Sequence, residues 1–300
     1  MEKKVDGKRR KKMAVLFVLP SAIVMIAFIV VPIIYGFYIS LLNYNLAMPV
    51  ASRRFVGLKN YITVFASSDF RQAILWTAIF VVVSVSGTVV LAMSLALLLN
   101  SPRLNSLAGR FAKTIFILPM MLCPLVVSNI WYIIFAPNYG LINSTLNRLG
   151  SSTISFFGNT FWARLAILAV EFWWATPYIM IILLAALTTV PNELMEAAQI
   201  EGAGKGQILF RITLPYISNF VVLVISIRLM DALRMFDIAF ALTEGGPQKS
   251  TETIAFYIYE TGFKYLKVGE ASATSFILFL IIVLVTFVFI RISRKVAPTN

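Results

Sequence analysis

Long apolar stretches without charged residues constrain the fold of this 300-residue chain more than any other feature. Residues 14–42 and 73–99 contain no charged side chain. A helix that crosses a bilayer needs about 20 mostly apolar residues, and it satisfies its own backbone hydrogen bonds there. Six stretches meet this requirement, at about 14–42, 73–99, 114–136, 165–190, 212–237 and 271–290. The sequence therefore predicts an all-α polytopic membrane protein with six transmembrane helices.

The composition disfavours several soluble classes. Hydrophobic residues make up 59% of the chain and charged residues 13%, whereas a soluble domain has roughly 25% charged residues. An ordinary cytosolic enzyme, a disordered protein and a disulfide-stapled secreted domain do not fit these values. The chain has no histidine and one cysteine, Cys123, so histidine-type zinc sites and Ser-His-Asp catalysis are excluded. We predict no catalytic site and no metal site.

The positive charge is distributed as a topological signal. The net charge is +13, and seven Lys or Arg residues lie within residues 1–12, directly before the first apolar stretch. Cytoplasmic segments are enriched in these residues. With the N-terminus inside, the inner segments carry fifteen of them and the outer segments nine. This pattern predicts a basic cytoplasmic tail at 1–12, a single transmembrane domain at 13–300, both termini in the cytoplasm, and no nucleic-acid binding.

One polar segment, 191–215, lies between the fourth and fifth predicted spans and therefore on the cytoplasmic side. Asn192 can cap a helix whose first turn carries Glu193 and Glu196, which suits the positive end of a helix dipole. Gly202 then ends the helix in a sharp turn. Small residues allow a partner to approach closely and the carboxylates can orient it. The segment is therefore suited to docking, and a plain amphipathic helix between two spans is the alternative.

The spacing within this segment resembles the EAA signature of ABC-transporter permeases. The matching residues are Glu196, Ala197, Ala198, Gly202, Ile212, Leu214 and Pro215. Other stretches resemble the sugar branch of that family, which contains the maltose and glycerol-phosphate permeases. These stretches are 55–61, 118–119, 131, 138–143, 171–178, 237, 242–247, 251–253 and 257–259. The resemblance covers nearly the whole chain, but the large outer domain of the longer maltose permease subunit is absent.

This resemblance implies a permease subunit with a cytoplasmic coupling helix between spans four and five. The implied partners are a second permease subunit in a heterodimer, two ATP-binding subunits, an extracytoplasmic solute-binding protein and the lipid bilayer. The ATP-binding subunits would use ATP, and this chain would bind no cofactor. The residues implied in coupling are Glu196, Ala197, Ala198, Glu201, Gly202, Ala203, Leu214 and Pro215. The implied location is a bacterial or archaeal plasma (inner) membrane, and the implied solute is a sugar or oligosaccharide.

Charged residues inside the spans indicate a functional site, because charges within a bilayer are costly. At 1.5 Å per residue, Glu171 lies about 9 Å and Arg228 about 6 Å below the outer edge. Since the two are close in depth and opposite in charge, we expect them to form a pair or to face one aqueous cavity. Arg234 and Asp237 fall at or beyond the outer boundary, where an interfacial position is favoured over ligand binding.

The predicted substrate pathway lies on spans four and five, which line the sugar pocket in the resembling family. Its residues are Glu171, Phe172, Trp173, Trp174, Arg228, Asp231, Ala232 and Met235. Each of the two tryptophans could stack on a sugar ring or lie in the aromatic belt of the membrane. The family often has neutral amides where this chain has charges, which allows an acidic or otherwise substituted glycan.

Two alternatives to a sugar importer stay open. An importer of a non-sugar solute would carry the same signature. An ion-coupled secondary transporter would need an intramembrane ion site and no cytoplasmic docking signature. A membrane enzyme is disfavoured, and the glycines at 202, 204 and 206 lack the lysine and hydroxyl of a phosphate-binding loop.

Overall fold

The computed structural model describes residues 2–101, 111 and 114–296, and the side chains of 13, 15–101, 111 and 114–293. Within these residues the regular structure is helical, with one isolated antiparallel bridge between Leu42 and Phe55. The all-α class is therefore confirmed. The side chains of the predicted basic tail, 1–12, lie outside the described residues, as do the basic side chains at 103, 110, 113, 294 and 295.

The described helices are spread along the whole chain. In chain order they are α1 (Glu2–Met25), α2 (Val31–Ser40), α3 (Lys59–Ala66), α4 (Ser68–Leu99), α5 (Pro124–Phe135), α6 (Leu141–Arg148), α7 (Thr160–Leu187), α8 (Asn192–Ile200), α9 (Lys205–Ile208), α10 (Leu214–Tyr216), α11 (Ser218–Leu233), α12 (Asp237–Thr243), α13 (Ile254–Tyr259) and α14 (Val268–Val296). Turns of π-helix at Ile26–Val30, Leu209–Thr213 and Glu260–Lys264 follow α1, α9 and α13.

Within the described residues, four helical segments are long and apolar enough to cross a membrane. They are Val15–Ser40, Ser68–Leu99, Thr160–Leu187 and Val268–Ser293. Two bent helix pairs pass the same test, and each can be one span: Thr114–Met121 with Pro124–Phe135, and Lys205–Tyr216 with Ser218–Leu233. The described residues thus contain four to six candidate spans, and each of them overlaps one of the six predicted stretches.

The third and fifth candidate spans are bent helix pairs rather than straight helices. The third bends by 105° between Met121 and Pro124, and the fifth bends by 71° at Ile217. Pro119 and Pro124 flank the first break, and Pro215 lies just before the second. A proline lacks the amide donor and its ring clashes with the preceding turn, so a helix kinks or stops there. Hydropathy alone does not register such breaks.

One compact unit comprises Met1–Ala66 and Ile258–Ile277. Its first span is apolar along its whole length and none of its most apolar window is buried within the chain, which suits a helix surrounded by lipid or by another subunit. Asn60 of α3 fixes the end of this span. Its side-chain amide donates to the backbone oxygens of Ser40 and Leu42 at 2.7 and 2.8 Å.

The second compact unit comprises Ser67–Tyr257 and Leu278–Asn300. Here α4 packs against α7 and α11. Gly87 of α4 lies under the ring of Phe172 of α7, and a Cβ at this glycine would be 2.5 Å from the ring. Small residues let membrane helices approach closely in this way. A single transmembrane domain over 13–300 stays a prediction.

Candidate functional site: a charged cavity and an exposed helix

A buried ion pair joins two residues of the predicted pathway within the second unit. Arg228 of α11 donates through Nη2 to Glu171 Oε1 of α7, and the two residues are 2% and 3% exposed. Ser84 of α4 completes the cluster. Its hydroxyl accepts from Arg228 Nη2 at 3.0 Å and donates to Glu171 Oε1 at 3.5 Å. Of the two arrangements that the sequence allows, the pair is therefore present.

The cluster is nearly but not fully satisfied. A charge removed from water must be paired and hydrogen-bonded, because an isolated buried charge is strongly unfavourable. The pair and the Ser84 hydroxyl meet this requirement, yet Arg228 Nε is buried without a hydrogen-bond partner. Sequence analysis missed Ser84, because a serine in an uncharged span carries no signal that distinguishes it from serines bonded to their own helix.

The ion pair lies at the wall of a cavity of about 300 Å³. The cavity is lined by Pro124, Glu171, Trp174, Arg228, Asp231, Arg234, Met235, Phe236, Asp237 and Ile238. Its lining therefore comes from α7, from α11, from residues 234–236 with the start of α12, and from the start of α5. This volume is at the small end of the range for ligand sites, about 300–1,000 Å³.

A second cavity, of about 380 Å³, shares part of this wall. It is lined by Met120, Trp174, Ala175, Tyr178, Ile227, Arg228 and Asp231. Three residues therefore face both cavities: Trp174, Arg228 and Asp231. Along α7 the second cavity reaches Tyr178, about one turn beyond Trp174, and along α11 it reaches Ile227, one residue before Arg228. The two cavities follow one another along the predicted pathway.

Trp174 is held in place at the break of the third span. Its indole Nε1 donates to the backbone oxygen of Leu122 at 3.0 Å, and Leu122 lies between the two halves of that bent span. A helix break leaves backbone carbonyls without helical partners, and the half-buried Trp174 supplies an N–H donor to one of them. Each group therefore satisfies the other, and the plane of the Trp174 ring is fixed beside the charged residues.

The structure divides the remaining predicted pathway residues. Met235 lines the first cavity. Phe172 and Trp173 instead line an apolar cavity of about 480 Å³, and Trp173 meets the edge of Trp131 at 5.7 Å between ring centroids. Ala232 is 1% exposed and lines none of these three cavities. Neighbours in sequence thus face different surroundings, because successive residues of a helix point about 100° apart.

The outer charges also lie at the first cavity. Arg234 pairs with Asp231 at 3.3 Å, and their side chains are 62% and 46% exposed. The helix is interrupted at Arg234–Phe236, and Asp237 begins the next helix, α12. Arg234 and Asp237, for which the sequence favours an interfacial position over ligand binding, both line the cavity, and their interfacial position stays a prediction. The helix break turns the chain back towards α7, which the straight-helix arithmetic did not include.

The second predicted site, the coupling segment, contains the expected short helix α8, Asn192–Ile200. Glu193, Glu196 and Ala197 are exposed on it and Ala198 is buried. The predicted cap at Asn192 is wrong: the helix begins one residue earlier, after Pro191, and no side chain caps it. Pro191 holds the extended conformation that a residue before a helix adopts, and it needs no amide partner.

Gly202 ends α8 as the sequence predicts. Its φ of +84° lies in the left-handed region, which a glycine adopts without steric penalty. The Ala203 amide donates to the Ala198 oxygen at 2.9 Å, and the Gly202 amide donates to the Gln199 oxygen at 3.0 Å. These two bonds form a Schellman motif, the usual way of satisfying the last carbonyls of a helix. The turn is therefore determined by local chemistry.

The other residues of the predicted coupling set surround this turn. Glu201 is exposed, Ala203 and Leu214 are half-buried, and Pro215 is exposed. Gly204 directly precedes α9, and its amide donates to Gln207 Oε1 at 2.9 Å. The segment thus presents carboxylates and small side chains on an ordered helix and turn. Such a surface can be bound by another protein, although coupling itself stays a prediction.

Metal-ligating side chains do not gather anywhere in the part of the chain that the structure describes: no three Cys, Asp or Glu residues form such a group. Cys123 is exposed at the break of the third span. Two of the carboxylates at the first cavity, Glu171 and Asp231, are engaged by arginines. The arrangement suits the binding and passage of a polar solute.

Comparison with known proteins agrees with this geometry. Residues 89–299 match the protein family described as "Binding-protein-dependent transport system inner membrane component". The chain is 33% identical over 290 residues to the trehalose/maltose transport system permease protein MalF of Thermococcus litoralis, covering 95% of each chain. It is 34% identical over 283 residues to the sulfoquinovosyl glycerol transport system permease protein SmoG of Agrobacterium fabrum, covering 94% of this chain and 90% of that one.

A solved structure shares the fold. A chain of a bacterial alginate ABC transporter, crystallised with its alginate pentasaccharide-bound periplasmic protein, superposes with a TM-score of 0.85. The two chains are 23% identical, and the match covers 98% of each. At this identity the likeness concerns the fold alone.

Proposed function

Because the chain belongs to the family of binding-protein-dependent transport system inner membrane components, we propose that it is a pathway-forming subunit of an ABC importer for a sugar or oligosaccharide. The family assignment makes it a multi-pass membrane permease of the ABC type, related to sugar permeases and to transport subunits rather than enzymes. The observation that carries the further proposal is α8, an exposed helix closed by Gly202 within the EAA segment.

Coupling would occur at α8. Glu196 and Ala197 are exposed on a helix whose end is fixed by two backbone hydrogen bonds at Gly202. An ordered helix can transmit a movement, whereas a flexible loop would absorb it. Two cytoplasmic ATP-binding subunits would bind this surface and hydrolyse ATP, and this chain would bind no cofactor. The membrane is a bacterial or archaeal plasma membrane, with both termini in the cytoplasm.

The pathway would pass through the two cavities that share Trp174 and Arg228. Carboxylate and guanidinium groups bond sugar hydroxyls, and an aromatic face packs against the apolar face of a sugar ring. A second permease subunit, in a heterodimer, would supply the opposite wall. An extracytoplasmic solute-binding protein would deliver the solute.

The test is a pull-down of the tagged protein from its native membrane in mild detergent, followed by mass spectrometry. We expect an ATP-binding protein, a second multi-pass permease and a solute-binding protein to accompany it. Glu196→Lys reverses a charge within the signature, and Glu193→Lys makes the same change one turn earlier on the same exposed helix. Loss of the ATP-binding protein with Glu196→Lys, and its retention with Glu193→Lys, supports coupling through the signature.

Two results would overturn the proposal. The protein could be recovered without any ATP-binding partner, in which case an ion-coupled transporter built around the Glu171–Arg228 pair becomes the explanation to test. Alternatively, the ATP-binding partner could be retained fully with Glu196→Lys, and the proposed coupling surface would then be wrong.

A further inference from the structure

The charges at the first cavity also bear on the chemical class of the solute. We propose that this chain's part of the pathway accepts an uncharged saccharide and disfavours an anionic one, an inference that rests on the proposed function. The cavity lining contains two arginines, Arg228 and Arg234, and three carboxylates, Glu171, Asp231 and Asp237. The formal net charge of the lining is therefore negative.

The charge of the deeper arginine, Arg228, is already compensated within the protein. Arg228 is almost fully buried and is neutralised by Glu171, which is equally buried. A substrate carboxylate or sulfonate that bound Arg228 would have to displace Glu171 and leave that carboxylate buried without its cation, which is strongly unfavourable. The donor that remains, Arg228 Nε, has no hydrogen-bond partner. This nitrogen is itself buried, so it presents no positive charge that a substrate anion could contact.

The outer arginine is compensated as well. Arg234 pairs with Asp231 at 3.3 Å, and its Nε donates to the Met230 backbone oxygen at 3.1 Å. Asp237 lies half-buried at the same cavity. Among the residues that the structure describes, it makes no ion pair that would offset its charge. Like charges repel more strongly in the low-dielectric surroundings of a membrane protein than in water, so an anionic solute meets an opposing field here.

The uncharged part of the lining fits a sugar ring. Trp174 presents an indole whose plane is fixed by its bond to the Leu122 oxygen, and Met235 and Phe236 add apolar surface beside it. A fixed aromatic face loses little conformational entropy when a ring stacks on it. The carboxylates of Asp231 and Asp237 can accept hydrogen bonds from hydroxyl groups. Together these groups recognise a polyol with one apolar face.

The experiment measures saccharide binding by saturation-transfer NMR to the complex, purified from its native membrane in mild detergent and then separated from the solute-binding protein. The neutral probes are maltose, trehalose and maltotriose, and the anionic probe is a trimer of hexuronates. We expect at least one neutral probe to bind, and the trimer to bind about tenfold more weakly or not at all. Trp174→Ala should abolish the neutral signal. Phe161→Ala, which removes an exposed aromatic on the same helix away from the cavity, should keep it.

Charge reversal provides the second arm. Asp237→Arg changes the lining from net negative to net positive, and we expect it to raise binding of the hexuronate trimer by about tenfold or more at low salt. Glu244→Arg makes the same reversal at an exposed residue outside the cavity and should leave both probes unchanged. Recovery of each variant in the complex, with its partner subunits, verifies folding.

The possible failures are distinguishable. If the hexuronate trimer binds as well as every neutral probe, or if Asp237→Arg does not increase its binding, the inference is overturned while the importer proposal stands on its pull-down. If no saccharide binds although the ATP-binding partner is present, the inference is also overturned and a non-sugar solute follows. If the ATP-binding partner is absent as well, both proposals fail.

Discussion

Arg228 and Glu171 form an ion pair between α11 and α7 in which both side chains are at most 4% exposed. Each lies in a candidate membrane span. Ser84 on α4 bonds Arg228 from a third helix. A charge at such depth persists only when it is paired, so the cluster ties three helices together at one point. Arg228 and Glu171 also line the first cavity, so each charge in this part of its wall is stabilised only while the other is present.

Because the Glu171 and Arg228 charges stabilise each other, we expect the stability losses from substituting them to be strongly non-additive. Glu171→Gln or Arg228→Gln alone leaves one buried charge uncompensated and should destabilise the protein by about 3–5 kcal/mol. The double variant removes both charges, and its loss of stability should be clearly smaller than the sum of the two single losses. Thermal unfolding of the detergent-solubilised protein, scanned at one fixed rate, measures the midpoint of each variant. Asp231→Asn, at the exposed pair with Arg234, is the reference and should cost about 1 kcal/mol or less.

Additivity of the two single losses would show that the two charges act independently. That result would contradict the coupled cluster, since independent residues more than about 7–10 Å apart usually give additive changes.

The turn after α8 gives a prediction with a matched control in the same segment. Gly202 has a φ of +84° and no atom within 4 Å of a built Cβ, so Gly202→Ala suffers from backbone strain alone, of about 1–2 kcal/mol. Gly206 lies inside α9 with equal space and no positive φ, so Gly206→Ala should be neutral or slightly stabilising. We expect Gly202→Ala to reduce the amount of ATP-binding subunit recovered with the protein, and Gly206→Ala to leave it unchanged. Equal recovery for both variants would show that the turn's shape does not matter for docking.

Much of this architecture could be predicted from the sequence. Transmembrane stretches are long and chemically uniform, so their signal does not depend on tertiary packing. The depth arithmetic brought Glu171 and Arg228 to similar levels because rise per residue is a constant of the helix. Gly202 was predictable for the same kind of reason, since a glycine in the left-handed region is a local property of the chain.

The cavity could not be predicted in the same way. Its shape depends on the break between Met121 and Pro124, on the bond from Trp174 to Leu122, and on the turn that brings Asp237 back to the lining. Each of these is a contact between segments far apart in sequence or a departure from straight-helix geometry. Trp173 and Trp174 are adjacent residues of the same type, so the sequence does not distinguish them. Trp173 nevertheless lines the apolar cavity and Trp174 the charged one.

A buried hydroxyl in α4 carries a third prediction. Thr77 Oγ1 donates to the Ala73 oxygen at 2.8 Å and accepts from the Ile254 amide at 2.9 Å. Thr77→Val keeps the shape but leaves the buried Ile254 amide without an acceptor, so we expect a loss of about 1–3 kcal/mol. Thr77→Ser should restore most of it. Thr145→Val, at an exposed hydroxyl bonded within its own helix, should change the unfolding midpoint little. A Thr77→Val protein as stable as the parent would contradict the role of this bond.

The orientation in the membrane gives a fourth prediction, because the excess of Lys and Arg on the inner segments, fifteen against nine, favours cytoplasmic termini. Cys123 is the chain's single cysteine, so Cys123→Ser provides a background without thiols. In it, Ser151→Cys places an exposed thiol between the third and fourth spans, and Gln199→Cys places one on α8. A membrane-impermeant maleimide applied to intact spheroplasts should label position 151 and spare position 199, which should react only after permeabilisation. The opposite pattern would put α8 outside the cell, where no ATP-binding subunit could reach Glu196, and would remove the physical basis of the coupling proposal.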